Sequence, residues 1–399
     1  GPLQSIAQFR SANLAGSGFL PLVTYTAGES RAHPQIGTDT LTETWPSDRS
    51  TLLDHTWLAN EALWDQYFLS TIADQTSAGF GRSKSRDNVM QDFFKRTARL
   101  PNQRFTPYNP GSTDVPGDLQ SASEPERRVA AHLFLNGGFN VNCTSEDAWV
   151  AVLSSLREMD VETSLGNESG AKGTTPFPRM TRPTGGNIDR NVVQLRENVW
   201  EGYRSLTDGQ IQNLAKEIVV EIRKRGPFLS LADFVNRGIG SDEDESNISG
   251  AIQAAIDRLD LNRFAESDGI DLDAALLAEH DYKSTRAAIG TGYRNTATHS
   301  PGAISQGDIL TGLGSRITVR SDTFRIRAYG EALDRTGKKV EAKAWCEAIV
   351  QRVPDYVDPV DAPSVIQEIL DDGSSGTANQ MFGRRYQVLS FRWLAADEV

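Results

Sequence analysis

Gly226-Pro227-Phe228-Leu229-Ser230-Leu231-Ala232-Asp233-Phe234 restates, in mid-chain, the opening phrase Gly1-Pro2-Leu3-Gln4-Ser5-Ile6-Ala7-Gln8-Phe9, with five of nine positions identical. Each copy reads as a helix start. Proline ends the preceding element. Ser5 and Ser230 are placed as N-caps, with Gln8 and Asp233 three residues later completing a capping box. The remaining apolar residues dock the new helix on a neighbour. The phrase contains no nucleophile, metal ligand or phosphate loop, so it predicts a chain built from small docked helices.

Upstream of the second copy, Ile211, Leu214, Ala215, Ile218, Val219 and Ile222 recur at helical spacing over 207–225. Thr207 and Gln210 form the expected capping box, and Gly226-Pro227 closes the helix. Thr144, with Asp147 three residues on, is expected to cap another helix carrying Ala148, Trp149, Val152, Leu153 and Leu156. Further helices are expected over 52–73, 89–98, 124–135, 248–258, 272–279 and 364–370, with polar loops at 74–128, 160–192 and 265–305. In the helix over 52–73, the stripe Leu53, Trp57, Leu58, Leu63, Trp64, Phe68 is read as core. After residue 315 the pattern changes to period two. Ile317–Leu333, Val340–Val353 and Tyr386–Leu394 read as strands, with Asp334–Lys338 as a turn. The fold class is therefore α+β: a helical N-terminal and middle region with small helical repeats, then a small antiparallel sheet. The regions expected are 1–136, 137–312 and 313–399.

The chain has 399 residues, 38% hydrophobic, with 53 acidic against 41 basic side chains and a net charge of −12. That length allows two or three domains. The acidic balance argues against nucleic acid as a partner, which requires a basic face. Gly238-Ile239-Gly240 lies between helices as in a phosphate clamp, but the acids at 242–245 would repel phosphate. No run is long and apolar enough to span a bilayer, so membrane attachment is expected only through a segment absent from this chain. The chain enters a helix start at position 1 without a methionine, and is expected to be part of a longer protein.

Five histidines (33, 55, 132, 280 and 299) show no paired-ligand spacing. Nucleophile elbows, Walker loops and dinucleotide fingerprints do not occur. Asp268, Asp271 and Asp273 place three carboxylates around Gly269, a donor set that suits calcium; solvated loop acids are the alternative. Asp242, Glu243 and Asp244 form a second, weaker candidate. Cys143 and Cys346 could form one disulfide in an oxidising compartment or stand as two separate thiols. Catalytic residues and an organic cofactor are not assigned.

Phe139-Asn-Val-Asn-Cys-Thr-Ser-Glu-Asp-Ala-Trp149, the stretch Ile218–Phe234, the strand Ser321–Gly330 and the closing Val388–Trp393 are similar to the K minor pseudopilin of type II secretion systems. Pro2-Leu-Gln-Ser-Ile-Ala7, Leu63–Phe68, Arg225–Phe228, Arg320–Phe324 and Ala344–Ala348 resemble the C-terminal part of the Verru_Chthon cassette protein A family, over nearly the whole chain. The resemblance implies a pilin-like sheet. It also implies a non-enzymatic component of a pilus-like or type II secretion-like assembly. Its place would be extracytoplasmic, in a bacterial cell envelope, and its partners prepilin-like or other envelope proteins. The alternative is a hydrolase or carbohydrate-binding module acting on surface polymers.

Overall fold

Capping and turn chemistry set most element starts in the computed structural model. It describes residues 3–10, 12, 26–45, 50–75, 83–109, 114–163, 166–179, 202–262, 278–279, 281–284, 286–287, 303–367, 370 and 375–398. The chain is mixed, 34% helical and 25% strand, with small antiparallel sheets compatible with α+β. A 3-10 turn at Ile6–Phe9 is followed by β1 (Thr42–Trp45), β2 (Ser50–Leu53), α1 (His55–Leu63), α2 (Arg86–Phe94), β3 (Phe105–Pro107), α3 (Val115–Ser121), α4 (Pro125–Arg128) and β4 (Leu133–Leu135). Next come β5 (Phe139–Asn140), α5 (Glu146–Leu153), β6 (Val161–Thr163), β7 (Gly166–Glu168), β8 (Thr174–Pro178), β9 (Tyr203–Thr207), α6 (Asp208–Arg225), α7 (Leu231–Val235), α8 (Ala251–Arg258) and α9 (Gln306–Leu313). The described chain closes with β10 (Ile317–Thr318), β11 (Thr323–Leu333), β12 (Val340–Tyr356), α10 (Ala378–Phe382) and β13 (Arg384–Leu394).

Two compact units share these elements, each discontinuous in sequence: residues 3–69 with 139–319, and residues 1–2 and 70–138 with 320–399. The expected division was into three consecutive regions, 1–136, 137–312 and 313–399. Residues 3–69, however, join the middle of the chain and not the stretch that follows them.

The helical unit is organised on α6. Its stripe Ile211, Leu214, Ala215, Ile218, Val219 and Ile222 is buried as the spacing predicts, and Thr207 with Gln210 makes the capping box. Ser5 and Gln8 likewise make a reciprocal box at the 3-10 turn Ile6–Phe9. At the second copy only half of the box forms. Ser230 Oγ accepts from Asp233 N at 3.0 Å, but Asp233 Oδ2 accepts from Leu229 N instead of Ser230 N. Asp65 adds a cap from elsewhere in the chain, accepting from the first two helical N–H groups, Leu231 N and Ala232 N, at 2.9 Å. Asn142 clamps the same phrase, accepting from Phe228 N at 2.7 Å and donating to Phe228 O at 2.9 Å. A ladder of rings, Phe139–Trp149–Phe234–Phe228, runs through this core with centroid spacings of 4.7, 6.2 and 5.3 Å.

Several sequence expectations shift. Ser145, not Thr144, caps α5, accepting from Ala148 N; Asp147 lies in the first turn, where an acid suits the helix dipole. The helix over 52–73 is only His55–Leu63, because Ser50–Leu53 pairs with β1 and Asp54 caps the start. Of its stripe Trp64 is buried and Trp57 half-buried, whereas Leu58 and Phe68 are exposed. The helix over 89–98 runs Arg86–Phe94, capped by Ser85. The helix over 124–135 breaks after Arg128 into a 3-10 turn and then β4, since Leu133–Leu135 pairs with Phe105–Pro107. Part of the loop over 160–192 is strand: β6 pairs with β7, and β8 with β9. No helix forms over 364–367; a short one appears instead at Ala378–Phe382. Most of the helix expected at 272–279 lies outside the described residues.

Buried polar side chains tie the helical unit together. Asn60 accepts from Gly28 N and Trp64 Nε1 and donates to Glu29 O and Asn236 Oδ1. The main-chain N–H groups of Gln253 and Gln306 each donate to the other's side-chain Oε1. Gly28 sits at φ +88, and a Cβ there would stand 2.9 Å from Ala7 Cβ, so glycine is required where the first copy docks. The second unit has its own smaller core of Val89, Met90, Phe93, Phe94, Leu100, Phe105, Val115, Leu119, Val129 and Leu133.

Candidate functional site

The second unit also carries the three-stranded antiparallel sheet β11-β12-β13, with β12 central. Period-two residues form its strands, and Asp334 forms its turn by accepting from Thr336, Lys338 and Lys339 N–H, with Gly337 at φ +68. One end of the sheet is pinned. Val353 and Tyr356 are buried, the Arg384 guanidinium stacks 3.8 Å from the Tyr356 ring centre, and Tyr108 donates to Asp355 at 2.8 Å. Burial and that bond push the Tyr108 hydroxyl up to about 12.

The remainder of the sheet is open and amphipathic. The register places Phe324, Ile326, Ala328, Gly330 and Ala332 of β11 across from Val350, Ala348, Cys346, Ala344 and Ala342 of β12. Val388, Phe391 and Trp393 of β13 meet Val350, Ala348 and Cys346 from the other side. One face is therefore a continuous apolar surface. Ile326 is 51% exposed, Phe391 55% and Trp393 68%. Phe391 and Trp393 meet edge to face at 5.5 Å. An apolar patch of this size on a folded chain usually marks an interaction site.

The opposite face is polar. The Glu347 carboxylate is covered by Arg327 at 2.9 Å, Arg392 at 3.3 Å and Arg325 at 3.8 Å. The Arg327 bond leads in holding this carboxyl below its usual range, with Arg392 and Arg325 adding to it. Beside it, Tyr329 packs on Trp345 with ring centres 5.3 Å apart and donates to Glu331 at 2.5 Å.

Convergent ionisable groups also occur inside the helical unit. Arg10 and Arg179 grip Asp308 at 2.6 and 2.9 Å, and Glu29 takes Arg10 and Ser305. Burial works to raise the Asp308 carboxyl, but the Arg179 bond and the Arg10 and Arg179 charges outweigh it and lower it. Glu221 is held by Arg225 and Arg258, both at 2.6 Å. Each of these carboxylates is held by cationic donors, an arrangement that orders the fold.

Asp268, Asp271 and Asp273 lie outside the described residues. Among the described residues no group of three His, Cys, Asp or Glu side chains is placed to hold a metal. In the second acidic candidate, Asp244 accepts from Lys224 and Ser246 N–H, and Asp242 from Ser284. The glycine N–H groups at 238 and 240 donate to Ser246 O and Thr38 O. Cys143 and Cys346 are both free thiols, so the disulfide pairing is not made. Each is used locally: the Cys143 carbonyl accepts from Trp149 Nε1, and Cys346 sits mid-strand between Ala328 and Trp393. Among the described residues no helix is long and apolar enough to cross a membrane. The period-two pattern announced the sheet; that Ile326, Phe391 and Trp393 on its apolar face would be exposed among the described residues had no signal in the sequence, because a buried and an exposed apolar face read alike. No protein family, curated protein or solved structure matches this chain.

Proposed function

We propose that this protein is a non-enzymatic docking component of a bacterial envelope assembly of the pilus or type II secretion kind, working through its open sheet. The carrying observation is the exposed apolar face of β11-β12-β13, flanked by two edge strands. Extended partners add to such edges through main-chain bonds, while alternate side chains supply specificity. In this reading the sheet is the pilin-like part, the two copies of the helix-start phrase are small helical repeats, and the partner is a prepilin-like protein outside the cytoplasm. Calcium, in this reading, would be held by Asp268, Asp271 and Asp273.

Pull-down from envelope extract tests the reading. A prepilin-like protein should co-purify with the wild type and be lost with Phe391→Ser/Trp393→Ser. Recovery of no such protein, or equal recovery by the variant, defeats it. A second reading, a carbohydrate-binding module, is favoured by the same Tyr386, Phe391 and Trp393 rings, which offer the stacking surface that sugars use. Titration with surface polysaccharides, followed by tryptophan fluorescence, separates the two.

A further inference from the structure

The outer edge of β11 carries a pattern that complements itself. The strand reads Thr323-Phe-Arg-Ile-Arg-Ala-Tyr-Gly-Glu-Ala-Leu333, eleven residues, all exposed, and among the described residues it pairs only with β12. An unprotected edge of this length is a template for another strand. Arg325, Arg327, Tyr329 and Glu331 share the polar face, as the contacts with Glu347, Trp345 and each other establish.

We infer that β11 pairs antiparallel with β11 of a second copy of this chain, about a twofold axis at Ala328. In that register Arg325 stands opposite Glu331 of the second copy, and Arg327 opposite its Tyr329. Twofold symmetry makes each pair twice. Opposite charges and a cation over an aromatic ring are the favourable cross-strand neighbours. On the other face Phe324 meets Ala332, Ile326 meets Gly330 and Ala328 meets Ala328. Gly330 is a costly residue in a strand interior, and such glycines often mark close approach of another chain. A Cβ built there has nothing within 4 Å, which leaves room for Ile326 of the second copy. Charge adds a reason for the pairing to be specific. Glu347 serves three arginines at once, with Arg325 the most distant, at 3.8 Å and 66% exposed, so its guanidinium can turn to a new carboxylate at little cost. The result is a six-stranded sheet that leaves β13 at each outer edge. The pairing does not rest on the envelope reading above; it takes the β11 edge and leaves β13 and the apolar face for any other partner.

Sedimentation equilibrium of the full chain tests this. The wild type should show a concentration-dependent dimer that weakens with added salt. Arg325→Glu places like charges opposite each other twice, as does Glu331→Arg, and each should raise the dimer Kd roughly tenfold or more. Mixing the two variants in equal amounts restores opposite charges in both pairs of the heterodimer, so dimer should reappear near wild-type strength. This recovery also controls for folding, because neither variant changes its own strand on mixing. A monomeric wild type at its highest soluble concentration overturns the inference. Single variants that remain dimeric, or a mixture that fails to recover, overturn it equally.

Discussion

The helical unit and the three-stranded sheet use the same residue types in opposite ways. In the first, an arginine is wholly buried: Arg237 bonds Asp54 at 3.1 Å and donates to the carbonyls of Thr38, Thr40 and Gly238. In the second, Arg325, Arg327 and Arg392 lie half-exposed over Glu347. Rings differ likewise. Trp149 is fully buried with its Nε1 satisfied by Cys143 O, whereas Trp393 stands 68% exposed beside Phe391. The contrast teaches how differently burial is distributed: one region closes its rings and charges on itself, and the other leaves them exposed.

The largest effect is expected where the closed region is opened. Asp54→Ala strands the buried Arg237 guanidinium and removes the cap of α1, so unfolding in urea should show a loss of about 3–5 kcal/mol. A loss below about 1 kcal/mol would mean that the carbonyl acceptors alone suffice for Arg237.

A smaller, graded effect should follow acidification. Burial holds the His132 imidazole below its ordinary value, outweighing opposing contributions from the Tyr108 backbone and Asp118. Burial does the same to His33, against Asp54. The unfolded chain therefore binds protons more readily than the folded one. Stability from this source is full above about pH 6.5 and declines as pH falls through the lower folded values. Unfolding free energy measured from about pH 7 to pH 5 should drop, and His132→Phe, which keeps a ring against Phe94, should flatten part of the slope. An unchanged slope would place the pH sensitivity elsewhere.

The smallest effect on stability belongs to the open face. Phe391→Ser/Trp393→Ser should shift unfolding by no more than about 0.5 kcal/mol per site, as solvent-facing changes do. A multi-kcal/mol loss would show that the face is packed in solution and erase the contrast with the helical unit.

Much of the framework was legible along the chain. The stripe of α6, the boxes at Ser5/Gln8 and Thr207/Gln210, the Asp334 turn and the alternating strands were all readable, because each depends on neighbours a few residues apart. Errors came where a distant segment intervened. Leu133–Leu135 became strand because Phe105–Pro107 lay beside it, and Asp65, 165 positions before Ser230, became an acceptor for Leu231 N and Ala232 N. By itself, then, the sequence determined the mixture of helix and sheet, the capping boxes at Ser5/Gln8 and Thr207/Gln210 and the amphipathic character of the last strands. Only tertiary structure decided which apolar stripes were covered, and that Arg237 would be buried and Arg325 exposed. The physical reason is range: hydrogen-bond geometry and periodicity act within a turn or two of chain, whereas burial is a property of whatever the rest of the molecule brings alongside.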